Sequence, residues 1–180
     1  MKQLENSEFL LSKALIVDLD GTVRRSKSGR EFISDKNDIE LIPGVEEKIW
    51  KYRMERWLVL GITNQGGVAY GYKTPEQVDE ELDATVALFK KNPFVSIKSS
   101  LNHPLGNVEP YCHRSLVRKP DIGMLVIIES ELWGYGIIPD WDNSLFVGDR
   151  PEDEECAKRA GIRFKHINDF LKEEPIFDVC

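Results

Sequence analysis

Near its N-terminus the chain reads Leu15-Ile16-Val17-Asp18-Leu19-Asp20-Gly21-Thr22, a short apolar run that leads directly into two carboxylates, a glycine and a threonine. An apolar run of this length, bounded by a turn residue, is typical of a buried strand in a parallel sheet. Open α/β sheets bind their ligands beyond the carboxyl ends of such strands. We therefore expect Asp18 and Asp20 to lie at a ligand-binding crevice.

The two acids can be arranged in two ways. If the strand continues through both, residues two apart face the same side and the carboxylates of Asp18 and Asp20 converge. A turn that begins at Leu19 would instead separate their roles. Two acids this close repel each other unless a cation lies between them, and carboxylate oxygens suit Mg²⁺. The alternative to a metal site is an acidic strand-to-turn junction, because Asp favours turns.

Three later stretches also place polar residues next to predicted strands or helices. They are Thr63-Asn64-Gln65 after the strand 57–62, Arg118-Lys119-Pro120 before a helix, and Gly148-Asp149 with Asp153 after the strand 144–147. Together with Asp18-Leu19-Asp20-Gly21-Thr22 they resemble, in order, the four motifs of the haloacid dehalogenase (HAD) superfamily. The resemblance extends from residue 14 to about residue 165, which is most of the chain.

The HAD resemblance implies a phosphoryl-transfer role for each motif. Asp18 would be the nucleophile that forms an aspartyl-phosphate, which splits one difficult hydrolysis into two steps. Asp20 would be the general acid and then the base that activates water. Two pairs of residues would bind the substrate's phosphate, namely Thr63 with Asn64 and Arg118 with Lys119.

The same resemblance implies a magnesium site. Its ligands would be Asp18, the backbone carbonyl of Asp20, and Asp149, with Asp153 either as a further ligand or as an acceptor behind the ligands. Asp149 and Asp153 also have a purely structural alternative, because acids at a helix N-terminus are stabilised by the helix dipole. Likewise, Thr63 and Asn64 are residue types that cap loops, and Lys119 could be a surface lysine before a proline.

Alternating strand and helix patterns predict an α/β fold, with a doubly wound, mostly parallel sheet in a single domain over residues 1–180. The predicted strands cover 14–19, 57–62, 94–98, 144–147 and 162–167, and the predicted helices cover 45–56, 74–91, 120–134, 151–159 and 168–172. No interval between the motifs has room for a large cap domain. We therefore expect an open site that is shielded only by a flap at 23–34 and a loop at 99–118.

Composition narrows the class of protein. The chain has 180 residues and a net charge of −7, and this charge argues against broad electrostatic binding to nucleic acid. No apolar run approaches the roughly 20 residues that a membrane span needs, so we expect no membrane partner. The three cysteines, Cys112, Cys156 and Cys180, form no CxxC pair, which favours reduced thiols and a cytoplasmic protein.

A closer resemblance concerns the substrate. Thr63-Asn64-Gln65-Gly66-Gly67-Val68-Ala69-Tyr70-Gly71, His103-Pro104-Leu105-Gly106 and Arg118-Lys119-Pro120 resemble the heptose bisphosphate and histidinol phosphate phosphatases of HAD subclass III. This resemblance implies a small phosphorylated metabolite, such as a sugar phosphate or histidinol phosphate. Relatives in this subclass usually carry arginine where this chain has Tyr70, and some carry it where this chain has Leu19.

Many of these relatives also hold a zinc ion in the loop that corresponds to residues 99–118. The matching positions here are not a Cys/His set, and Zn²⁺ prefers four such ligands. They are Ser100, Asn102, Ser115 and Val117. We therefore expect no zinc.

Two alternatives for the function stay open at this point. The stretch Lys27-Ser28-Gly29-Arg30-Glu31-Phe32, after Asp18-Leu19-Asp20-Gly21-Thr22, resembles the phosphatase domain of polynucleotide kinase 3′-phosphatases, which implies a nucleic acid 3′ end as substrate. Its basic residues favour this alternative and the acidic net charge counts against it. No GxxxxGK[ST] motif is present, so we expect no kinase activity. The other alternative is a non-catalytic phosphate-binding protein, because fold does not imply function.

Overall fold

The computed structural model describes residues 9–33 and 35–174, which form nine strands and five α-helices. The strands are β1 (Leu10–Ser12), β2 (Ala14–Val17), β3 (Arg24–Ser26), β4 (Ile39–Leu41), β5 (Leu58–Asn64), β6 (Ser96–Ser100), β7 (Ile137–Pro139), β8 (Leu145–Gly148) and β9 (Arg163–His166). The helices are α1 (Val45–Met54), α2 (Pro75–Ala87), α3 (Gly123–Gly134), α4 (Pro151–Ala160) and α5 (Ile167–Lys172).

A five-stranded parallel sheet lies at the centre of the molecule, in the spatial order β6-β5-β2-β8-β9. β2 occupies the middle of this sheet, and all four of its residues are buried, as its continuous apolar run predicted. Because the strands are parallel, their carboxyl ends share one edge of the sheet. The residues that follow β2, β5 and β8 therefore meet at that edge.

Helices cover both faces of the sheet. Val45 of α1 and Phe170 of α5 join the apolar cluster on one face, together with Leu15 of β2. Met124 of α3 and several residues of α4 join the cluster on the other face, together with Ile16 of β2. Alternate β2 side chains thus point to opposite sides, as a strand requires. The prediction of a doubly wound, mostly parallel α/β sheet is confirmed.

Two small sheets were missed from the sequence. β1 pairs in parallel with β7, and β3 pairs antiparallel with β4. Each of these strands has only three residues, which is too short for an alternating apolar pattern to be recognised. We call residues 24–41 the flap hairpin. It contains most of the flap predicted at 23–34, of which Ser34 lies outside the described residues.

The central strand ends earlier than predicted, at Val17 instead of Leu19. The carbonyl of Leu19 accepts hydrogen bonds from the backbone N–H groups of three residues that follow it, namely Thr22 (3.3 Å), Val23 (2.9 Å) and Arg24 (2.9 Å). A turn therefore begins at Leu19 and separates Asp18 from Asp20. This is the second of the two arrangements that the sequence allowed.

The predicted helices are present, with shifts at their ends. Thr74 caps α2, because its side chain accepts the N–H of Gln77 while the Gln77 side chain accepts the N–H of Thr74. Gly161 follows α4 in the left-handed conformation and ends it. α3 begins at Gly123 instead of residue 120, after a turn in which Asp121 donates its N–H to the carbonyl of Arg118.

No helix within residues 9–33 and 35–174 is long and apolar enough to cross a membrane. Cys112 and Cys156 are free thiols, and Cys180 lies outside the described residues. In that part of the chain the segment from β2 to α1 folds as the flap hairpin and the segment from β6 to α3 as an irregular loop, so neither builds a cap domain.

Candidate active site

Asp18 lies at the carboxyl end of the central strand. Its backbone N–H continues the sheet by donating to the carbonyl of Val147 at 3.0 Å, and its side chain is almost fully buried. Burial raises the pKa of the Asp18 carboxyl, the charge of Lys119 lowers it, and the neighbouring Asp153 and Asp20 raise it again, to about 7. The site therefore concentrates negative charge that the protein alone does not fully neutralise.

Lys119 lies between two of these acids. Its Nζ is 2.5 Å from Asp18 Oδ1 and 2.7 Å from Asp153 Oδ1, and it donates to the carbonyl of Ile62 at 3.1 Å. Burial alone lowers the pKa of Lys119, but the Asp18 and Asp153 carboxylates outweigh burial and hold the pKa above its ordinary value. The lysine is therefore a buried cation next to Asp18, not the surface lysine that was the alternative.

Asn64, at the end of β5, holds the backbone of Lys119. Its Oδ1 accepts the N–H of Lys119 at 3.0 Å and its Nδ2 donates to the carbonyl of Lys119 at 3.1 Å. The Asn64 side chain thus uses both of its polar atoms on the lysine's main chain. This positioning contact was missed from the sequence, which predicted a phosphate contact from Asn64.

Asp20 is held by groups on the other side of the turn. Arg24 Nε donates to its Oδ1 at 2.8 Å, Gln65 Nε2 donates to its Oδ2, and Thr63 Oγ1 lies 3.4 Å from the same oxygen. Burial raises the pKa of Asp20, but the charge and hydrogen bonds of Arg24 and the hydrogen bond from Gln65 outweigh it and hold the pKa below its usual range. Asp20 is therefore ionised in this conformation.

Arg24 and Gln65 were missed as site residues. Arg24 is completely buried, and its Nη1 donates to the carbonyl of Glu81 (2.9 Å) and to Thr85 Oγ1 (2.6 Å) of α2. A buried, fully bonded arginine cannot be told from a surface arginine by composition, and the flap was predicted to bring positive charge near the site without a role for any single arginine. Gln65 had a usable signal, because it directly follows Thr63 and Asn64.

Asp149 and Asp153 complete the acidic cluster. Asp153 Oδ2 accepts the backbone N–H groups of Asp149 (3.2 Å) and Arg150 (3.1 Å), so it also caps the start of α4. Carboxylate oxygens of Asp18, Asp149 and Asp153 lie within 4.8 Å of one another. Burial and the charge of Asp153 raise the pKa of Asp149.

This donor set fits a divalent cation. The buried Asp153 Oδ1 has no hydrogen-bond partner, although Lys119 Nζ lies close to it, outside hydrogen-bond geometry. Three carboxylates against one lysine leave negative charge for a hard cation to compensate, and oxygen ligands of this kind suit Mg²⁺. Gly21 also fits this reading, because a Cβ at its position would lie 2.3 Å from Asp149 Oδ2 and displace that carboxylate.

A cavity of about 670 Å³ opens from these acids to the surface. It is lined by the acids and Lys119, by Arg118, by residues of the flap hairpin, and by a ring-bearing wall at Tyr70, Tyr72 and His103. Arg118 is half-buried and donates from Nη1 to the carbonyl of Asn102 at 3.1 Å. The Arg118 guanidinium is partly removed from solvent beside the cavity, and this burial lowers its pKa.

The loop predicted at 99–118 is attached to the loop that follows β5. The carbonyl of Ala69 accepts the N–H groups of Asn107 (2.8 Å) and Val108 (3.0 Å), and Tyr70 Oη lies 2.9 Å from His103 Nδ1. Ser100 and Asn102 stand at two of the four positions where the zinc-binding relatives are expected to have ligands. Ser100 is buried, and Asn102 Nδ2 lies 3.3 Å from His113 Nε2. The loop is therefore held by hydrogen bonds from the protein itself.

The chain is similar to known phosphatases in sequence. A family model described as polynucleotide kinase 3 phosphatase matches residues 13–171. The D-glycero-D-manno-heptose-1,7-bisphosphate 7-phosphatase of Chlorobaculum tepidum is 31% identical over 154 residues, which cover 84% of this chain and 76% of the relative. The corresponding enzyme of Escherichia coli K12 is 28% identical over 155 residues, which cover 84% of this chain and 76% of the relative.

Solved structures give the same result. A HAD-like phosphatase from Mesorhizobium loti superposes with a TM-score of 0.75 at 26% identity, covering 91% of this chain and 86% of that one. The D,D-heptose 1,7-bisphosphate phosphatase of B. bronchiseptica, solved with magnesium and phosphate, has the same fold, with a TM-score of 0.66 at 24% identity over 84% of this chain and 78% of that one. Since a family model spans most of the chain and a phosphatase that is 31% identical covers 84% of it, the chain belongs to the polynucleotide kinase 3 phosphatase family within the HAD superfamily and is a HAD-type phosphatase.

Proposed function

We propose that this phosphatase is a Mg²⁺-dependent phosphomonoester hydrolase that acts through an aspartyl-phosphate on Asp18, with a small phosphorylated metabolite such as a sugar phosphate or histidinol phosphate as substrate. One observation carries the proposal: Asp18 shares the buried cation of Lys119 with Asp153 and lies within 4.8 Å of the other acids, at the end of an open cavity. A nucleophilic carboxylate, a fixed cation and a metal-ligand set thus occur together.

In the first step an Asp18 oxygen attacks phosphorus and the alcohol leaves. Lys119 stands close enough to stabilise charge on the phosphoryl group, and a unit-charge pair at about 4 Å with an effective dielectric of about 20 is worth roughly 4 kcal/mol before desolvation. Thr63, at the same edge of the sheet, supplies a hydroxyl toward the phosphoryl oxygens. Such fixed donors matter because uncatalysed phosphomonoester hydrolysis requires accelerations of up to about 10²¹-fold.

The metal would be held by the carboxylates of Asp18, Asp149 and Asp153 and the backbone carbonyl of Asp20. When bound there, Mg²⁺ supplies compensating positive charge to the phosphoryl oxygens and to the three acids. The magnesium in the B. bronchiseptica relative supports this assignment.

In the second step Asp20 takes a proton from the water that attacks the aspartyl-phosphate. The ionised state that Arg24 enforces on Asp20 is the state that this step needs. Protonation of the leaving oxygen in the first step needs the other state of Asp20. Substrates whose alcohol is acidic depend least on that proton, because they leave readily without it.

The names of the relatives support a small sugar substrate, because those from C. tepidum and E. coli act on a heptose 1,7-bisphosphate. The test is phosphate release from a panel of sugar mono- and bisphosphates and histidinol phosphate, with and without Mg²⁺. The Asp18→Asn variant serves as the control for contaminating phosphatases. Absence of Mg²⁺-dependent release from every phosphomonoester would overturn the proposal.

A second candidate is removal of a 3′-phosphate from nucleic acid ends. It is favoured by the family model, whose description names polynucleotide 3′ phosphatases, and by Arg25 and Arg30, which line the cavity. A 3′-phosphorylated oligonucleotide in the same panel separates the two candidates. The non-catalytic alternative is set aside, because the chain belongs to a family of phosphatases.

A further inference from the structure

An array of three rings forms one wall of the cavity. Tyr70 and Tyr72 are stacked, with ring centroids 5.8 Å apart and an interplanar angle of 18°, and His103 lies against Tyr70 at 4.9 Å. Gly71, between the two tyrosines, has a φ of 75°, a left-handed conformation that a tyrosine or other bulky residue would adopt only with strain. The glycine thus lets residues 70 and 72 present their rings as a stack.

The inner part of this array is fixed. Tyr70 Oη lies 2.9 Å from His103 Nδ1, and the N–H of Tyr72 donates to the carbonyl of Gly67 at 2.9 Å. The outer part is open, because Tyr72 is 82% exposed. Phe32, from the flap hairpin, lines the same cavity and is 64% exposed. Two aromatic side chains are therefore left uncovered in a cavity that also contains Asp18.

Packing does not explain these two rings. A tyrosine or phenylalanine that contributes to a core is buried, whereas exposed apolar surface grouped in a concavity marks a binding groove. The rings lie in the same cavity as the nucleophile, so any molecule that places its phosphate at Asp18 extends along a space that they line. Arg118 also lines it.

We propose that Tyr72, supported by Tyr70 and joined by Phe32, binds a planar ring in the leaving group, so that the preferred substrates are phosphomonoesters of ring-bearing alcohols. This rests on the proposed function and narrows its substrate class to metabolites whose alcohol carries a planar ring, as histidinol phosphate does and a plain sugar phosphate does not. Stacking suits such a ring because every aromatic ring, a nucleobase included, offers a π face, whereas a saturated sugar or polyol offers none. The shared chemistry is the ring, which an aryl phosphate and a nucleoside monophosphate both carry.

The test compares three phosphomonoesters at saturating Mg²⁺: 2-naphthyl phosphate, a nucleoside 3′-monophosphate, and ribose 5-phosphate as the ester without an aromatic ring. We expect kcat/KM to be highest for the two aromatic esters, mainly because their KM is lower. In Tyr72→Ala, the ratio of kcat/KM between the aromatic esters and ribose 5-phosphate should fall by about tenfold or more, as expected for the loss of one stacking contact. Tyr72→Phe should keep the ratio, because the ring remains.

Tyr135→Ala is the matched control, because Tyr135 is also 82% exposed but lies at the end of α3, outside the cavity. It should change neither ester's kinetics. Binding is measured separately, by calorimetry of the three esters with the Asp18→Asn variant, so that the ring preference is tested without turnover. A preference for ribose 5-phosphate, or a ratio unchanged in Tyr72→Ala, would overturn the inference while leaving Mg²⁺-dependent hydrolysis intact.

Discussion

Asn64 clamps the main chain of Lys119 with both polar atoms of its side chain, accepting at 3.0 Å and donating at 3.1 Å. The clamp joins the end of β5 to the segment before α3, which come from distant parts of the chain. It fixes the stem of the lysine whose Nζ lies between Asp18 and Asp153. The asparagine thereby acts through Lys119 on Asp18, the proposed nucleophile.

We expect Asn64→Ala to lower kcat by at least tenfold while changing KM less, because small displacements of a charged group reduce its transition-state stabilisation. Asn64→Asp keeps an acceptor for the Lys119 N–H but loses the donor to its carbonyl, so its kcat should lie between those of Asn64→Ala and the unchanged protein. Steady-state kinetics with one phosphomonoester measure this. Equal loss from Asn143→Ala, a surface asparagine elsewhere, would point to a general structural effect instead.

Asp18→Asn should abolish turnover, because it retains the shape of the side chain but removes the nucleophilic charge. The fold should persist, since the backbone N–H of Asp18 still pairs with Val147. Circular dichroism and thermal unfolding check the fold, and phosphate release checks activity. A folded variant with a kcat close to that of the unchanged protein would rule out Asp18 as the nucleophile.

Asp20→Asn should lose the proton-transfer contribution, about 10²–10⁴-fold in kcat/KM for an alkyl phosphate. The loss should be smaller for an aryl phosphate with an acidic leaving group, because that group departs without a proton. Comparing the two substrates in the variant measures the difference. Equal losses would show that Asp20 contributes through charge or structure and not through leaving-group protonation.

Activity should be lost in EDTA and restored by Mg²⁺, because one lysine does not balance the negative charge of the three clustered carboxylates. The same ion should raise the thermal unfolding temperature, since a ligand at about 100 times its Kd stabilises the folded state by about 2.7 kcal/mol. Asp149→Asn should weaken both effects, whereas Asp83→Asn, on the exposed side of α2, should change neither. Full activity after exhaustive chelation would refute the metal requirement.

The loop predicted at 99–118 should bind no structural zinc. Ser100, Asn102, Ser115 and Val117 stand at the positions of the expected ligands, and hydrogen bonds to the carbonyl of Ala69 hold the loop instead. Elemental analysis of protein purified without chelator measures the metal content. One zinc per chain, lost together with thermal stability in Cys112→Ser, would show that the loop has built a different site.

The central part of the fold was predictable because its signals are local. The apolar run before Asp18 marks the middle strand, and the Thr74 cap with Pro75 marks the start of α2. The strand pair β1–β7 was not predictable. Leu10 pairs with Ile137, which is far away in the chain, and β1 has only three residues. No periodic pattern in the local sequence indicates such a pairing.

The candidate site likewise contains residues that the local sequence indicates and residues that it does not. Residues at strand ends, such as Asp149, are marked by the strand that precedes them. Arg24, a partner of Asp20, was missed because only the three-dimensional surroundings of an arginine show that it is buried. Arg24 is buried against α2, whose Glu81 and Thr85 lie far along the sequence and carry no sign of that contact.

Arg24 belongs to β3, at the root of the flap hairpin, and binds Asp20 and α2 at once. Hydrogen bonds therefore fix the root of the hairpin both to the turn that contains Asp20 and to helix α2. Swinging the whole hairpin aside would strip the buried Arg24 guanidinium of its partners, so the base of the hairpin stays in place. A molecule that enters the cavity therefore has to fit beside a hairpin that does not move aside, and Phe32 of this hairpin lines the cavity.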